Sequence, residues 1–140
     1  MLSGCRPRAG PHMDEALTHA PLVLVVEDDA DAREMYEVLL AASGFRVVCA
    51  GNGLDGINRA RASHPDLIVM DVSLPAVDGL EASRRLKNDE ATRDIPIVAL
   101  TGNPIDEPER RLMFAATLLK PCLPDVLVAE IRRRVGPVHS

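Results

Sequence analysis

Four apolar runs in this sequence end in residues suited to metal and phosphate chemistry. Leu22-Val23-Leu24-Val25-Val26 runs into Glu27-Asp28-Asp29, Leu67-Ile68-Val69-Met70 into Asp71, Ile97-Val98-Ala99-Leu100 into Thr101, and Leu118-Leu119 into Lys120-Pro121. A short apolar run closed by a turn signal, as Ser73-Leu74-Pro75 closes the second, reads as a strand buried on both faces of a parallel sheet. The carboxyl ends of such strands form the rim where open parallel sheets bind ligands. Glu27, Asp28, Asp71, Thr101 and Lys120 would therefore share one rim. Hard oxygen ligands suit magnesium, and an ammonium beside them suits the charge that develops on a transferring phosphoryl group. Each feature is weak alone: an acidic pair after a strand is commonly a helix cap, a Lys-Pro a turn, a strand-terminal threonine structural. Their joint order is what carries information.

The intervening segments must be helices for that rim to exist. Ala32, Met35, Tyr36, Leu39 and Leu40 fall on one helix face, and Ser43-Gly44 stops that helix. Phe45 to Ala50 reads as the second strand. A helix from Gly53 to Ser63 would turn Leu54, Ile57 and Ala60 inward; Gly56 inside it costs about 1 kcal/mol relative to alanine, which close helix-to-sheet contact would explain. Asp78-Gly79 opens a helix carrying Leu80 and Leu86, and Ile95-Pro96 starts the fourth strand. Pro104 and Pro108 forbid a long helix between Asn103 and Phe114, so a short one from Pro108 is expected. Val126, Leu127, Ile131 and Val135 line a last helix after Pro124. Five strands alternating with five helices predict an α/β, doubly wound parallel sheet.

At 140 residues the chain has room for one core. Residues 1–20 lack sustained periodicity and read as a flexible extension, 21–135 as the domain, and 136–140 as a tail. A net charge of −5 argues against nonspecific nucleic-acid binding. The basic runs Arg84-Arg85 and Arg132-Arg133-Arg134 read as solvated helix faces. Cys5, Cys49 and Cys122 have neither disulfide nor zinc spacing. With no apolar stretch long enough for a membrane span and no signal-peptide pattern, a cytoplasmic protein is expected.

These motifs, from Pro21 to Val135, resemble the receiver domain of two-component response regulators, the CheY-like family. The resemblance rests on Val25-Val26-Glu27-Asp28-Asp29, Met70-Asp71-Val72-Ser73-Leu74-Pro75, Asp78-Gly79, Ala99-Leu100-Thr101 and Lys120-Pro121. It implies a flavodoxin-like strand order 2-1-3-4-5, an order that the general rule for doubly wound sheets illustrates with CheY itself. It also implies that Asp71 is the phosphoacceptor and that Thr101 and Lys120 contact the phosphoryl group. Magnesium would be held by Asp28 and Asp71, by Glu27 through a water and by the Ser73 carbonyl. The implied partners are a sensor histidine kinase or histidine phosphotransfer protein and an unknown downstream protein target, not nucleic acid or membrane. A phosphoacceptor of this kind phosphorylates itself rather than turning over substrate.

Two features depart from the family pattern. The stretch between Thr101 and Lys120 is short and contains two prolines, and Thr117 stands where the family commonly places an aromatic; Phe114 is the candidate substitute. Three readings follow. With only Gly136 to Ser140 after the last helix, the first is a stand-alone receiver that docks or relays phosphate. The second is a phosphorylation-independent interaction module on a receiver fold. The third is a magnesium-dependent phosphohydrolase of the haloacid-dehalogenase type, disfavoured because Ser73 stands where such enzymes carry a second acid. No glycine-rich loop follows the first strand, as a dinucleotide binder would need.

Overall fold

The computed structural model describes residues 20–72 and 77–135, with Val77 and Asp78 as backbone only. Strands β1 (Leu22–Val26), β2 (Arg46–Ala50), β3 (Leu67–Asp71), β4 (Ile97–Thr101) and β5 (Ala116–Leu119) alternate with helices α1 (Ala30–Ala42), α2 (Gly53–Ser63), α3 (Val77–Lys87), α4 (Pro108–Arg111) and α5 (Pro124–Val135). The strands form one parallel sheet in the order β2-β1-β3-β4-β5, as expected. Residues 1–19 and 136–140, which contain most of the expected extension and the tail, lie outside the described residues. Ala20 is buried, and its carbonyl accepts a hydrogen bond from Arg46 Nε at 3.0 Å.

Alternation of side chains along each strand divides the core into two halves. Val23, Val25, Val69, Val98 and Leu100 face Tyr36 and Leu40 of α1 and Leu127 and Ile131 of α5. Leu24, Val26, Ile68, Met70, Ile97 and Ala99 face Ile57 and Ala60 of α2, Ala82 and Leu86 of α3, and Phe114. Every residue of β3 and β4 is buried, which is why both read as uninterrupted apolar runs.

The helices differ from their sequence reading in rotation rather than in extent. Met35 and Leu54, expected inward, are 51% and 63% exposed. In α2 the buried residues are Gly53, Gly56, Ile57 and Ala60. A Cβ on Gly56 would come within 2.9 Å of Val26 Cγ2, so the smallest face of α2 lies on the sheet and Leu54 is turned away. Tyr36 and Leu40 set the rotation of α1 in the same way. On α5, Val126 is largely exposed while Leu127 and Ile131 are buried. β5 begins at Ala116 rather than Leu118; as an edge strand it is only half-buried, which weakens its apolar signature.

Candidate functional site

Strand register assembles the site. Val26 is level with Met70, so the next residues, Glu27 and Asp71, emerge side by side. Asp71 is level with Leu100, and Thr101 with Leu119, which places Lys120 one step beyond Thr101 on the neighbouring strand. The Lys120 amide donates to the Thr101 carbonyl at 2.8 Å and the Val72 amide to Leu100 at 2.9 Å, extending the ladder to the rim. Glycine closes it from α3: a Cβ on Gly79 would lie 2.5 Å from the Asp71 carbonyl oxygen and 3.2 Å from Val72 Cα.

Glu27 and Asp71 are buried, whereas Asp28 is exposed, and carboxylate oxygens of the three lie within 4.8 Å of one another. Lys120 Nζ stands 3.2 Å from Asp71 Oδ2 and 3.6 Å from Glu27 Oε1. The Asp29 amide donates to Glu27 Oε2 at 3.1 Å, and Asp29 itself caps α1 by accepting from the Ala32 amide at 2.8 Å. Burial, reinforced by the neighbouring Asp71, pushes the Glu27 carboxyl up to about 7 despite the Asp29 amide and Lys120. Burial works against the charged form of Lys120, but Asp71 and Glu27 outweigh it and hold the ammonium above its ordinary range.

The site suits a small divalent cation. Its donors are all oxygens, they converge, and Glu27 Oε1 is a buried oxygen with no hydrogen-bond donor among the described residues. Ser73, expected to lend its carbonyl, lies outside the described residues. Thr101 is buried at the rim, but its hydroxyl engages its own loop, donating to the Asn103 carbonyl at 2.7 Å and accepting from the Asn103 amide at 3.2 Å.

Two residues beside the site escaped the sequence reading of its chemistry. Tyr36 is buried on α1 close enough to feel Lys120, Glu27 and Asp71; burial raises its phenol. Arg33 donates from Nη1 to the Glu27 carbonyl at 2.8 Å. Neither had a distinguishing signal, since Tyr36 fits an ordinary apolar stripe and Arg33 an ordinary charged helix face. Of the basic runs, Arg84 and Arg85 pair with Glu81, and Arg133 and Arg134 with Glu130, within their own helices, whereas Arg132 reaches across to the Ser43 carbonyl at 3.0 Å and lies over the Phe45 ring.

This fold is shared widely, and the chain belongs to the response regulator receiver family, whose domain model matches residues 23–132. The polar-differentiation response regulator DivK of Brucella ovis is 40% identical over 90 residues, covering 64% of this chain and 73% of DivK. The receiver domain of a sensor histidine kinase from Pseudomonas aeruginosa, whose crystal structure has a magnesium ion coordinated in the active site cleft, superposes with a TM-score of 0.74. It is 29% identical, over 84% of this chain and 99% of that one. The chemotaxis protein CheY4 of Vibrio cholerae gives a TM-score of 0.72 at 26% identity, over 82% of this chain and 98% of CheY4. Receiver domains belong to two-component signalling, bind magnesium at an acidic pocket, and are in general phosphoacceptors rather than turnover enzymes. Among the described residues no helix is long and apolar enough to cross a membrane.

Proposed function

We propose that this protein is a cytoplasmic response regulator that accepts a phosphoryl group on Asp71 from a histidine of a sensor kinase or phosphotransfer protein, then signals by docking or relays the phosphate. The observation that carries this reading is the buried Asp71 carboxylate at the end of β3, with Lys120 Nζ at 3.2 Å and Glu27 and Asp28 converging on it. Glu27, Asp28 and Asp71, with the Ser73 carbonyl, would hold magnesium. Bound there, the cation would offset the carboxylate charge and compensate developing charge on the phosphoryl oxygens.

The protein's own residues supply the rest. Asp71 Oδ attacks phosphorus in line, an O–P bond forms as the P–N bond to the donor histidine breaks, and the electron pair leaves on the imidazole nitrogen. No general base is required, because the nucleophile is an oxygen of a carboxylate. Lys120 meets the equatorial oxygens with a preorganised charge. The acyl phosphate carries roughly −1.5 to −2 charges in place of the carboxylate's single one, and Thr101 would donate to it on releasing the Asn103 carbonyl.

Intact-mass measurement after incubation with acetyl phosphate and magnesium tests the assignment: one phosphoryl group is expected, and none in the nearly isosteric Asp71→Asn. Labelling of that variant would move the acceptor elsewhere. A parent protein that never labels, from acetyl phosphate or from phosphohistidine donors, would favour the phosphorylation-independent module.

A further inference from the structure

We infer that Arg33 is a positioning residue for the acidic end of the site, fixing the backbone that presents Glu27 and Asp28 to a cation. The inference rests on the receiver reading and extends it to a residue outside the expected ligand and phosphoryl-binding set. The Glu27-Asp28-Asp29 turn carries two of the three clustered carboxylates, and Asp28 is exposed, so little packing holds its side chain. Its direction must come from the main chain on either side.

That main chain is pinned at successive points. The Glu27 amide donates to the Ala50 carbonyl at 3.0 Å, which continues the β1–β2 ladder past its last pair. The Asp29 side chain caps α1 at the Ala32 amide, and the Arg33 amide donates to the Asp29 carbonyl at 2.9 Å. Between them lies the carbonyl of Glu27, which neither sheet nor helix satisfies. Arg33 Nη1 donates to it at 2.8 Å, reaching back from α1. A charged donor makes this bond stronger than an amide could.

The seat of the guanidinium is built on the other side by Gly51. A Cβ at that position would lie 3.2 Å from Arg33 Nη1 and 3.8 Å from Cζ. The loop after β2 thus leaves room for the arginine at the point where any larger residue would press on it. Arg33 joins three pieces of chain, the end of β1, the start of α1 and the end of β2, and its effect on the cation is exerted through the Glu27 carbonyl.

Titration calorimetry with magnesium on the full chain, paired with thermal unfolding in EDTA, tests this. Groups that orient metal ligands typically cost tenfold or more in affinity when removed, so Arg33→Ala should weaken magnesium binding by about tenfold. Arg33→Lys, which keeps one charged donor, should recover part of the loss. Gly51→Ala should weaken binding in the same direction by crowding the guanidinium, and it keeps the test open should Arg33→Ala fail to fold. A merely structural role would lower the melting temperature in EDTA and leave the magnesium Kd at the parent value in Arg33→Ala or in Gly51→Ala; either result overturns the inference. Asp28→Ala separates the two levels. If the parent binds magnesium and Asp28→Ala does not, the site stands whatever Arg33 does; if the parent binds none, the receiver reading of the metal site falls and this inference with it.

Discussion

Lys120 Nζ lies 3.2 Å from Asp71 and 3.6 Å from Glu27, so one ammonium faces two buried carboxylates. That ratio leaves negative charge to spare, which adds to burial in pushing the Glu27 carboxyl up to about 7. Lys120→Ala should slow labelling from acetyl phosphate by about a hundredfold, the order seen when a preorganised transition-state donor is removed. Magnesium binding should be kept or tightened, because a competing cation is gone. Labelling at the parent rate, followed by intact mass over time, would exclude Lys120 from the transfer.

The raised Glu27 carboxyl, a product of burial first and of Asp71 second, makes metal-free stability depend on pH in a defined direction. A Glu27 that titrates near 7 folded and 4.5 unfolded holds its proton more tightly in the native state, which stabilises the fold fully below 4.5. As pH rises from there to about 7, the unfolded chain loses its proton first and the stability declines, then levels off. Urea unfolding in EDTA between pH 4.5 and 8 should show this fall, and Glu27→Gln should flatten it. Magnesium should reverse it near neutrality by RT ln(1 + [Mg]/Kd), roughly 2.7 kcal/mol at a hundredfold excess over Kd. A Glu27→Gln profile as steep as the parent's would assign the slope to another group.

Gly79 offers a test of how the site is shaped. Its absent Cβ would lie 2.5 Å from the Asp71 carbonyl oxygen and 3.1 Å from Val72 Cγ1, both close to the chain that leaves β3. Backbone cannot rotate away as a flexible side chain can. Gly79→Ala should therefore cost about 1 to 3 kcal/mol in chemical denaturation, the usual range for overpacking, and slow labelling of Asp71 as well. Parent-like values in both assays would mean that α3 retreats from β3 without loss.

The contrast between what the sequence disclosed and what it hid follows from the range of the interactions. Strands β1, β3 and β4 were readable because burial on both faces demands apolar residues without interruption, and a polar residue at the end of each run marks the rim. Glu27, Asp28, Asp71 and Lys120 come together there, with Thr101 at the same rim but its hydroxyl on Asn103, because parallel register sets neighbouring strand ends nearly level. Helix rotation was harder to read. Leu54 fits an apolar period as well as Gly53 does, and only the contact of Gly56 with Val26 decides between them. The bond from Arg33 to the Glu27 carbonyl was invisible for a related reason: it involves a main-chain oxygen, which no residue type betrays.

How a signal would leave the site turns on Thr101, whose hydroxyl is bonded to both the carbonyl and the amide of Asn103. A phosphoryl group on Asp71 can recruit that hydroxyl only if the bond to the Asn103 carbonyl is given up, so the sensor and the loop after β4 must move together. The aromatic position of the family is Thr117 here, half-buried on β5, and Phe114 is buried in the half of the core that α2 and α3 cover. Neither side chain is set to swing as a ring beside Lys120 would. Asn103 and Ile105, by contrast, border a cavity of about 370 Å³ with Thr101, Val72 and Leu80, and residues 104–107 belong to neither helix nor strand. Loops with few regular backbone bonds open at low cost, which makes this one the element with room and freedom to respond. Hydrogen exchange with and without beryllofluoride and magnesium should therefore change most between Gly102 and Ala116, and Thr101→Ala should abolish that change while leaving Asp71 able to label. Thr117→Tyr should alter partner binding more than labelling, since it restores a ring without touching the acceptor. Protection that changes only around Asp71, with the Gly102 to Ala116 stretch unaffected, would show that the loop is not the output of the switch.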